Sequence, residues 1–511
     1  MNGMLKFMSL FAISITSVKN CSYNITGDIS KCLYKIPINY TPDFYNEHLV
    51  SKCSHKNTQI LNSIFDNIAD NSEIIIGENE FDRYPLRAGL VIDNTKNLVI
   101  NIKGILDFGG CDFSNYKYYN NSNCALKKIN WPGFSILPSN SNVKSMIYIS
   151  NYYNLTITST NKKGKVVGGG DQWYGFINGA YLGDSMSTKP ILLNGREGNN
   201  YMFTMNNIGF YQPAYWTIYL KVDNVHIHNV KIIAHSNEYN KLYKEFFNNK
   251  KITNKLLSVI KAFNTDGIDI NGNDVYIHDC EIHVGDDCIA VKNGNNWLVE
   301  NIIASGLGMS IGSVGVGSNI VFRNIVMTNT IRGIFVKTNT KNVAFENFVI
   351  KKSLIFPIWI GPAYQGFNND CPLSWPFIST KATSIISYLF YTDLNKINNL
   401  CMPDFDSSGD ILLTNITIYD SVTTPLVIIA NSNYKININN LIVLKSQNKH
   451  FPFSNYTKCY LVNTTKTNID FCKDNNSIGC LRIGNRDAIQ PCCELYYPYK
   501  GGYWGYCDKF K

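Results

Sequence analysis

One pattern recurs along the chain and limits its fold more than any other feature. A short tract of alternating β-branched residues, often opened by Asn, is followed by a second short tract, as in Asn97–Leu106 (NLVINIKGIL), Asn224–Ala234 (NVHIHNVKIIA), Asp274–Val284 (DVYIHDCEIHV) and Asn319–Asn329 (NIVFRNIVMTN). Asn342–Ile350 and Ile411–Tyr419 repeat it. Trp297, Asn319 and Asn342 open successive units about 22–23 residues apart, within the range of solenoids. Tracts of period two separated by Asn and Gly turns read as strands. One such unit cannot bury its own apolar face, whereas stacked units bury a continuous aliphatic interior. The expected fold is therefore all-β, a parallel β-helix. A leucine-rich repeat has a similar period, but it needs a Leu framework with helical halves, and this chain has Val and Ile in paired strands.

Departures from the repeat divide the chain. Thr58–Ala69 (TQILNSIFDNIA) has helical spacing at Ile60, Leu61, Ile64, Phe65 and Ile68, and fits an amphipathic cap over the first coil. The β-helix is expected over 58–450, with a Lys-rich, helix-prone insertion at 238–261 and a longer insertion at 365–410. Ahead of it, the apolar stretch Phe7–Val18 follows a single Lys and reads as a secretory signal peptide within 1–20, leaving a Cys-containing segment at 21–57. Behind it, 451–511 holds Cys459, Cys472, Cys480, Cys492, Cys493 and Cys507, the pattern of a disulfide-tied tail.

Composition narrows the class. With 17% charged and 13% aromatic residues the chain is not a disordered one. Lys+Arg 47 against Asp+Glu 38 gives +9, a mild excess over 511 residues that admits an acidic partner without implying nucleic acid. Beyond the leader no apolar run reaches the ~18–20 residues of a membrane helix. Fifteen Cys fit an oxidising, extracellular compartment, and their odd number leaves at least one outside any intrachain pair. Asn makes up about one residue in eight and suits tight turns. It also produces N-x-[ST] sequons, such as Asn154 and Asn415, about as often as chance would.

The acidic residues are concentrated. Asn264–Ile270 reads NTDGIDI, and about 20 residues later Gly285–Lys292 reads GDDCIAVK. Residues one coil apart lie on neighbouring strands about 4.8 Å apart. Asp266, Asp286 and Asp287 are therefore expected to form one carboxylate cluster outside the solenoid. Clustered carboxylates repel, and one is driven toward its protonated form. An acid beside an ionised base is the equipment of glycoside hydrolysis. A Ca²⁺ site or an Asp-rich turn uses the same residues. His226 and His228 share one strand face, a possible metal pair, but without a third ligand the pattern is more often a surface strand.

Further motifs occur in a fixed order: Gly168–Tyr174 (GGGDQWY), Gln212–Ile218 (QPAYWTI), the two acidic motifs, Gly306–Gly315 (GLGMSIGSVG), Arg332–Thr338 (RGIFVKT) and Pro357–Tyr364 (PIWIGPAY). This ordered set resembles the polygalacturonase family of glycoside hydrolases, across roughly residues 58–445. The resemblance implies a right-handed parallel β-helix that hydrolyses pectic backbones with inversion, acts as a secreted monomer on a polysaccharide, and uses no cofactor or metal. It implies Asp286 as general acid, Asp266 and Asp287 as holders of the attacking water, and Asn264 as the residue orienting them. It implies Lys337 as a ligand for a substrate carboxylate, with Tyr364 lining the adjacent subsite.

Two positions depart from the family pattern. Leu307 stands where its G-H-G has His, and Phe335 stands where its R-I-K has Arg. The hydrolytic acids remain while two substrate-side groups are replaced, as in members acting on rhamnogalacturonan, which also lack that Arg. Phe335 would offer an apolar face to a less acidic sugar. The alternative is a glycan-binding β-helix that no longer cuts. Arg332, three residues before Phe335, is expected to face elsewhere if the tract is a strand. The partner that Cys288 has in the family would fall near Ile303, so its disulfide is absent.

Overall fold

A computed structural model describes residues 21–24, 34–35, 47–80, 82–86, 89–108, 145–170, 176–177, 180–181, 190–234, 262, 264–312, 315–353, 356–361, 409–419, 426–429, 434–444, 459–462, 467–469 and 480–483. The expected signal peptide, both insertions apart from 409–410, Tyr364 and four of the six tail cysteines (Cys472, Cys492, Cys493 and Cys507) lie outside the described residues.

Two parallel sheets run the length of the solenoid. One stacks long strands, among them Ser72–Ile76, Lys96–Ile102, Asp223–His228, Val275–His283, Gly317–Thr328, Thr340–Lys351 and Gly409–Tyr419. The other stacks short strands, among them Ile191–Gly195, Ile218–Lys221, Ile268–Asn271, Gly308–Ile311, Ile334–Val336 and Ile358–Ile360. The 19-residue strand Asp287–Ser305 belongs to both, pairing first with Ile268–Asn271 and then with Val275–His283. The fold is the parallel β-helix expected from the repeat. Parallel pairing continues past residue 450, through Cys459–Val462 to Cys480–Ile483.

Register accounts for the core. Ile227, Ile277, Val299, Phe322 and Phe345 pair in sequence from coil to coil, and each is fully buried. Alternation in the strands puts every second side chain into that row. The N-terminal helix spans Glu47–Asp66, longer at its start and shorter at its end than the expected Thr58–Ala69. It buries Leu61 and Phe65 against the first coils, with Ile60, Ile64 and Ile68 at the edge of the contact.

The abundant Asn has a structural role. Asn301, Asn324, Asn347, Asn415 and Asn440 all have φ between 55° and 58°, a left-handed conformation that Asn tolerates better than most residues. Their side chains form a ladder, each amide donating to the Asn one coil earlier: Asn324 to Asn301 at 3.3 Å, Asn347 to Asn324 at 3.0 Å, Asn415 to Asn347 at 3.1 Å and Asn440 to Asn415 at 2.9 Å. Among the described residues no helix is long and apolar enough to cross a membrane.

Candidate active site

The site is built where NTDGIDI and GDDCIAVK stack. Glycines allow the coils to close there: a Cβ on Gly267 would stand 2.3 Å from the Cys288 carbonyl oxygen, and one on Gly285 would stand 2.0 Å from that of Ala262. Thr265 ties the turn together, its hydroxyl donating to the Ala262 carbonyl at 2.5 Å and accepting the Gly285 N–H at 2.9 Å. Asp266, Asp286 and Asp287 consequently each offer an oxygen to a group whose members all lie within 4.8 Å of one another. All three are buried.

Each carboxyl group has different partners. Asp287 is held at both oxygens, by the Ser310 hydroxyl on Oδ1 at 2.6 Å and by the Lys337 ammonium on Oδ2. Asp266 has Lys292 Nζ 3.5 Å from Oδ2, while its Oδ1 is buried without a hydrogen-bond partner. Lys292 also lies 3.0 Å from Asp269 Oδ2. Asp286 accepts only backbone N–H groups in these contacts, from Asn264 at 3.2 Å and from Asp287 at 2.9 Å. Asn264 thus meets the cluster through its main chain, held at φ 57°.

Electrostatics follow these contacts. Burial, then the charges of Asp266 and Asp287, push Asp286 well above the usual carboxylate range, and the two lysines oppose this only weakly. Burial raises Asp266 too, with Lys292 pulling against it. For Lys292 burial works against the charge, but Asp269, Asp266 and Asp287 outweigh it and hold the ammonium well above its ordinary value. A buried cluster of four carboxyl groups facing two ammonium groups approaches neutrality when protons remain on the acids that lack a cation. The lysines also supply the positive charge that a bound cation would bring to the three carboxylates.

Asp269 and Lys292 are the members that motif reading passed over. Ile268 and Ile270 are core residues, as are Ile289 and Val291. Alternation therefore turns Asp269 and Lys292 off the interior, onto the face that carries the acids. An aromatic group borders them: Tyr215 stacks on Trp216 with centroids 4.6 Å apart, Trp216 meets Tyr219 edge-on at 5.1 Å, and Lys292 Nζ lies 5.6 Å above the Trp216 ring.

The substrate side differs from expectation in two ways. Arg332 lies in the turn before strand Ile334–Val336, so strand alternation does not govern it. Its guanidinium folds back to 4.4 Å from the Phe335 ring centroid and 4.8 Å from that of Trp359, fully buried. Burial pulls it down to about 9, and Asp287 partly restores it. Phe335 is itself fully buried, with Lys337 Nζ also 4.4 Å from its ring centroid. The ring lies against two cations and has no exposed face for a sugar. Leu307, in the His position, is buried, and its N–H bonds the Asp286 carbonyl at 2.6 Å. Cys288 is a buried free thiol, in line with the missing disulfide.

Parts of this chain are similar to known proteins. Residues 134–376 match the sequence model described as glycosyl hydrolases family 28. "Probable rhamnogalacturonase E" of Aspergillus flavus is 39% identical over 94 residues, 16% of this chain and 21% of that protein. "Probable endopolygalacturonase D" of Emericella nidulans is 36% identical over 137 residues, 24% of this chain and 26% of that protein. The matched stretches thus span about a quarter or less of these relatives. The crystal structure of a hyperthermoactive exopolygalacturonase from Thermotoga maritima superposes with a TM-score of 0.50 at 14% identity, over 82% of this chain and 90% of that one, a likeness of fold. Residues 134–376, which hold the whole carboxylate and lysine cluster, are thus similar to glycosyl hydrolases family 28, and they lie on a parallel β-helix.

Proposed function

We propose that this chain is a secreted inverting glycoside hydrolase of pectic polyuronide chains. The observation that carries this reading is the unequal pairing of the three aspartates. Asp287 and Asp266 each have an ammonium partner, and Asp286 has none among its contacts. Asp286 therefore keeps its proton at neutral pH and serves as the general acid. Its O–H protonates the glycosidic oxygen as the bond to the anomeric carbon breaks. Asp266 Oδ1, the carboxylate oxygen left without a partner, accepts a proton from water while the water oxygen bonds to that carbon. Asp287, fixed by Ser310 and Lys337, orients that water and stabilises the developing positive charge.

One oxygen from each of the three carboxyl groups lies within 4.8 Å of the others. Inversion rests on the family resemblance, in which Asp266 and Asp287 hold the attacking water and neither bonds to the sugar carbon. Asn264, Lys337 and Tyr364 make up the substrate side, Lys337 offering its charge to a uronate where Asp287 shares it, while the buried Phe335 only supports Lys337 from behind. The test is product analysis on a panel of pectic polymers. Saturated reducing ends, released first as the inverted anomer in NMR, are expected. Unsaturated ends would indicate a lyase, and chains bound but uncut a lectin-like protein. Asp286→Asn should lower turnover by about 10²–10⁴-fold with glycan binding retained; more than about a tenth of wild-type activity would remove Asp286 from the acid's role.

A further inference from the structure

We propose that Arg196 and Tyr219 form a subsite for a uronate sugar on the short-strand sheet, on the N-terminal side of the carboxylate cluster; this rests on the reading of that cluster as the site of a pectic hydrolase. Asn194 pairs in register with Tyr219, and Tyr219 with Asp269, so the three stand in a row across neighbouring strands. Two strand spacings are roughly 9–10 Å. Tyr219 lies between the core residues Ile218 and Leu220 and is turned outward. Gly195 faces the interior, where a Cβ would stand 2.9 Å from the Ile149 and Leu220 side chains, and Arg196 after it is turned out. The base of Arg196 is fixed: its N–H bonds Asn194 Oδ1 at 3.2 Å, and the buried Asn194 amide donates to Ser145 Oγ at 2.8 Å.

The surroundings suit an acidic sugar. The Arg196 guanidinium lies 5.8 Å from the Tyr219 ring centroid. Tyr219 meets Trp216 edge-on, and Lys292 Nζ lies above the Trp216 ring. Aromatic rings thus connect the guanidinium to the ammonium beside Asp266 and Asp269. Such rings offer apolar surface to the carbon-bound faces of a sugar. Arg332 is fully buried, whereas the Arg196 side chain is 41% exposed. Its neighbour Glu197 is equally exposed and stands 3.6 Å from Nε, a surface pair of little strength that a substrate carboxylate can displace. One carboxylate can take two donors of a guanidinium, a fork that Lys cannot form. The polymer recognised then carries a carboxylate on a sugar removed from the bond being cut, while the sugar beside the acids meets no guanidinium. A chain of alternating acidic and neutral sugars presents that pattern.

The test is calorimetric titration of the full chain carrying Asp286→Asn, which binds without cutting, with rhamnogalacturonan oligosaccharides, either intact or with their carboxyl groups reduced to alcohols. Adding Arg196→Gln should weaken binding of the intact oligosaccharides about tenfold or more and lower its dependence on salt. The reduced oligosaccharides should bind both chains equally, and Arg196→Lys should recover only part of the loss. Equal affinity of the two chains for intact oligosaccharides would overturn the subsite. An equal loss on intact and reduced oligosaccharides would overturn it too, since Arg196 would then support the fold of the groove without meeting a carboxylate. Cleavage of pectic polymers by a wild type whose Arg196→Gln form binds as tightly removes this inference and leaves the hydrolase reading standing. A wild type that neither binds nor cuts any of the polymers removes both.

Discussion

Asp286 carries a stability cost along with its proposed chemistry. Its folded pKa is raised, chiefly by burial and then by Asp266 and Asp287. A group with a raised folded pKa contributes stability below its unfolded pKa and loses it as pH rises through the folded value. At alkaline pH the fold must hold either the proton or a buried anion. Asn has the same shape and no charge to bury. Asp286→Asn should therefore melt above the wild type at pH 8, with the gap closing toward pH 4. Melting temperatures measured across that range would show it, and a variant less stable than the wild type at pH 8 would contradict the assignment of a raised pKa. Inactivation with stabilisation is the expected signature of a catalytic acid held in an unfavourable site.

At the scale of elements, the turns contribute as much as the strands. Asn324 combines a φ of 56° with two ladder bonds, to Asn301 and from Asn347. Replacing it by Ala loses the bonds and keeps a Cβ whose left-handed strain, roughly 1–2 kcal/mol, no side-chain bond then offsets. Gly loses the bonds but sheds that strain. Stability should fall in the order Asn, Gly, Ala, read by denaturant unfolding and by amide exchange at the turn; Gly equal to or above Asn would mean that the ladder contributes nothing. The period of 22–23 residues made the coils legible in sequence, and one-coil spacing brought Asp266 and Asp286 together on paper. Arg332 was misjudged because strand alternation was applied to a residue in a turn. Lys292 and Asp269 were legible in principle from their inward-facing neighbours. The pairing of His228 with His278 was not, because 50 residues separate them instead of 22.

For the whole molecule, the proposed activity turns on which polymer the acids act on. A net charge of +9 favours an anionic chain in general, but selectivity is set at the bond being cut. There the Arg332 guanidinium is buried on Phe335 and Trp359, and Lys337 is engaged by Asp287. Among the described residues, no guanidinium is left to form a fork with a uronate carboxylate beside the acids. Such charged hydrogen bonds contribute about 1.5–3 kcal/mol, or roughly ten- to a hundredfold in kcat/KM. Homogalacturonan, acidic at every sugar, should therefore be cut less efficiently than rhamnogalacturonan, in which alternate sugars are neutral. Introducing Arg at 335 alone would put a third cation between Arg332 and Lys337, so the informative variant exchanges the two, Arg332→Leu with Phe335→Arg. It should shift the ratio of kcat/KM toward homogalacturonan by about tenfold or more, and adding Leu307→His should raise kcat on both polymers. A wild type that prefers homogalacturonan would show that Lys337 alone suffices to recognise the uronate. A wild type that cuts neither polymer while the triple variant cuts homogalacturonan would make the natural protein a glycan-binding descendant whose acids have outlived their substrate contacts.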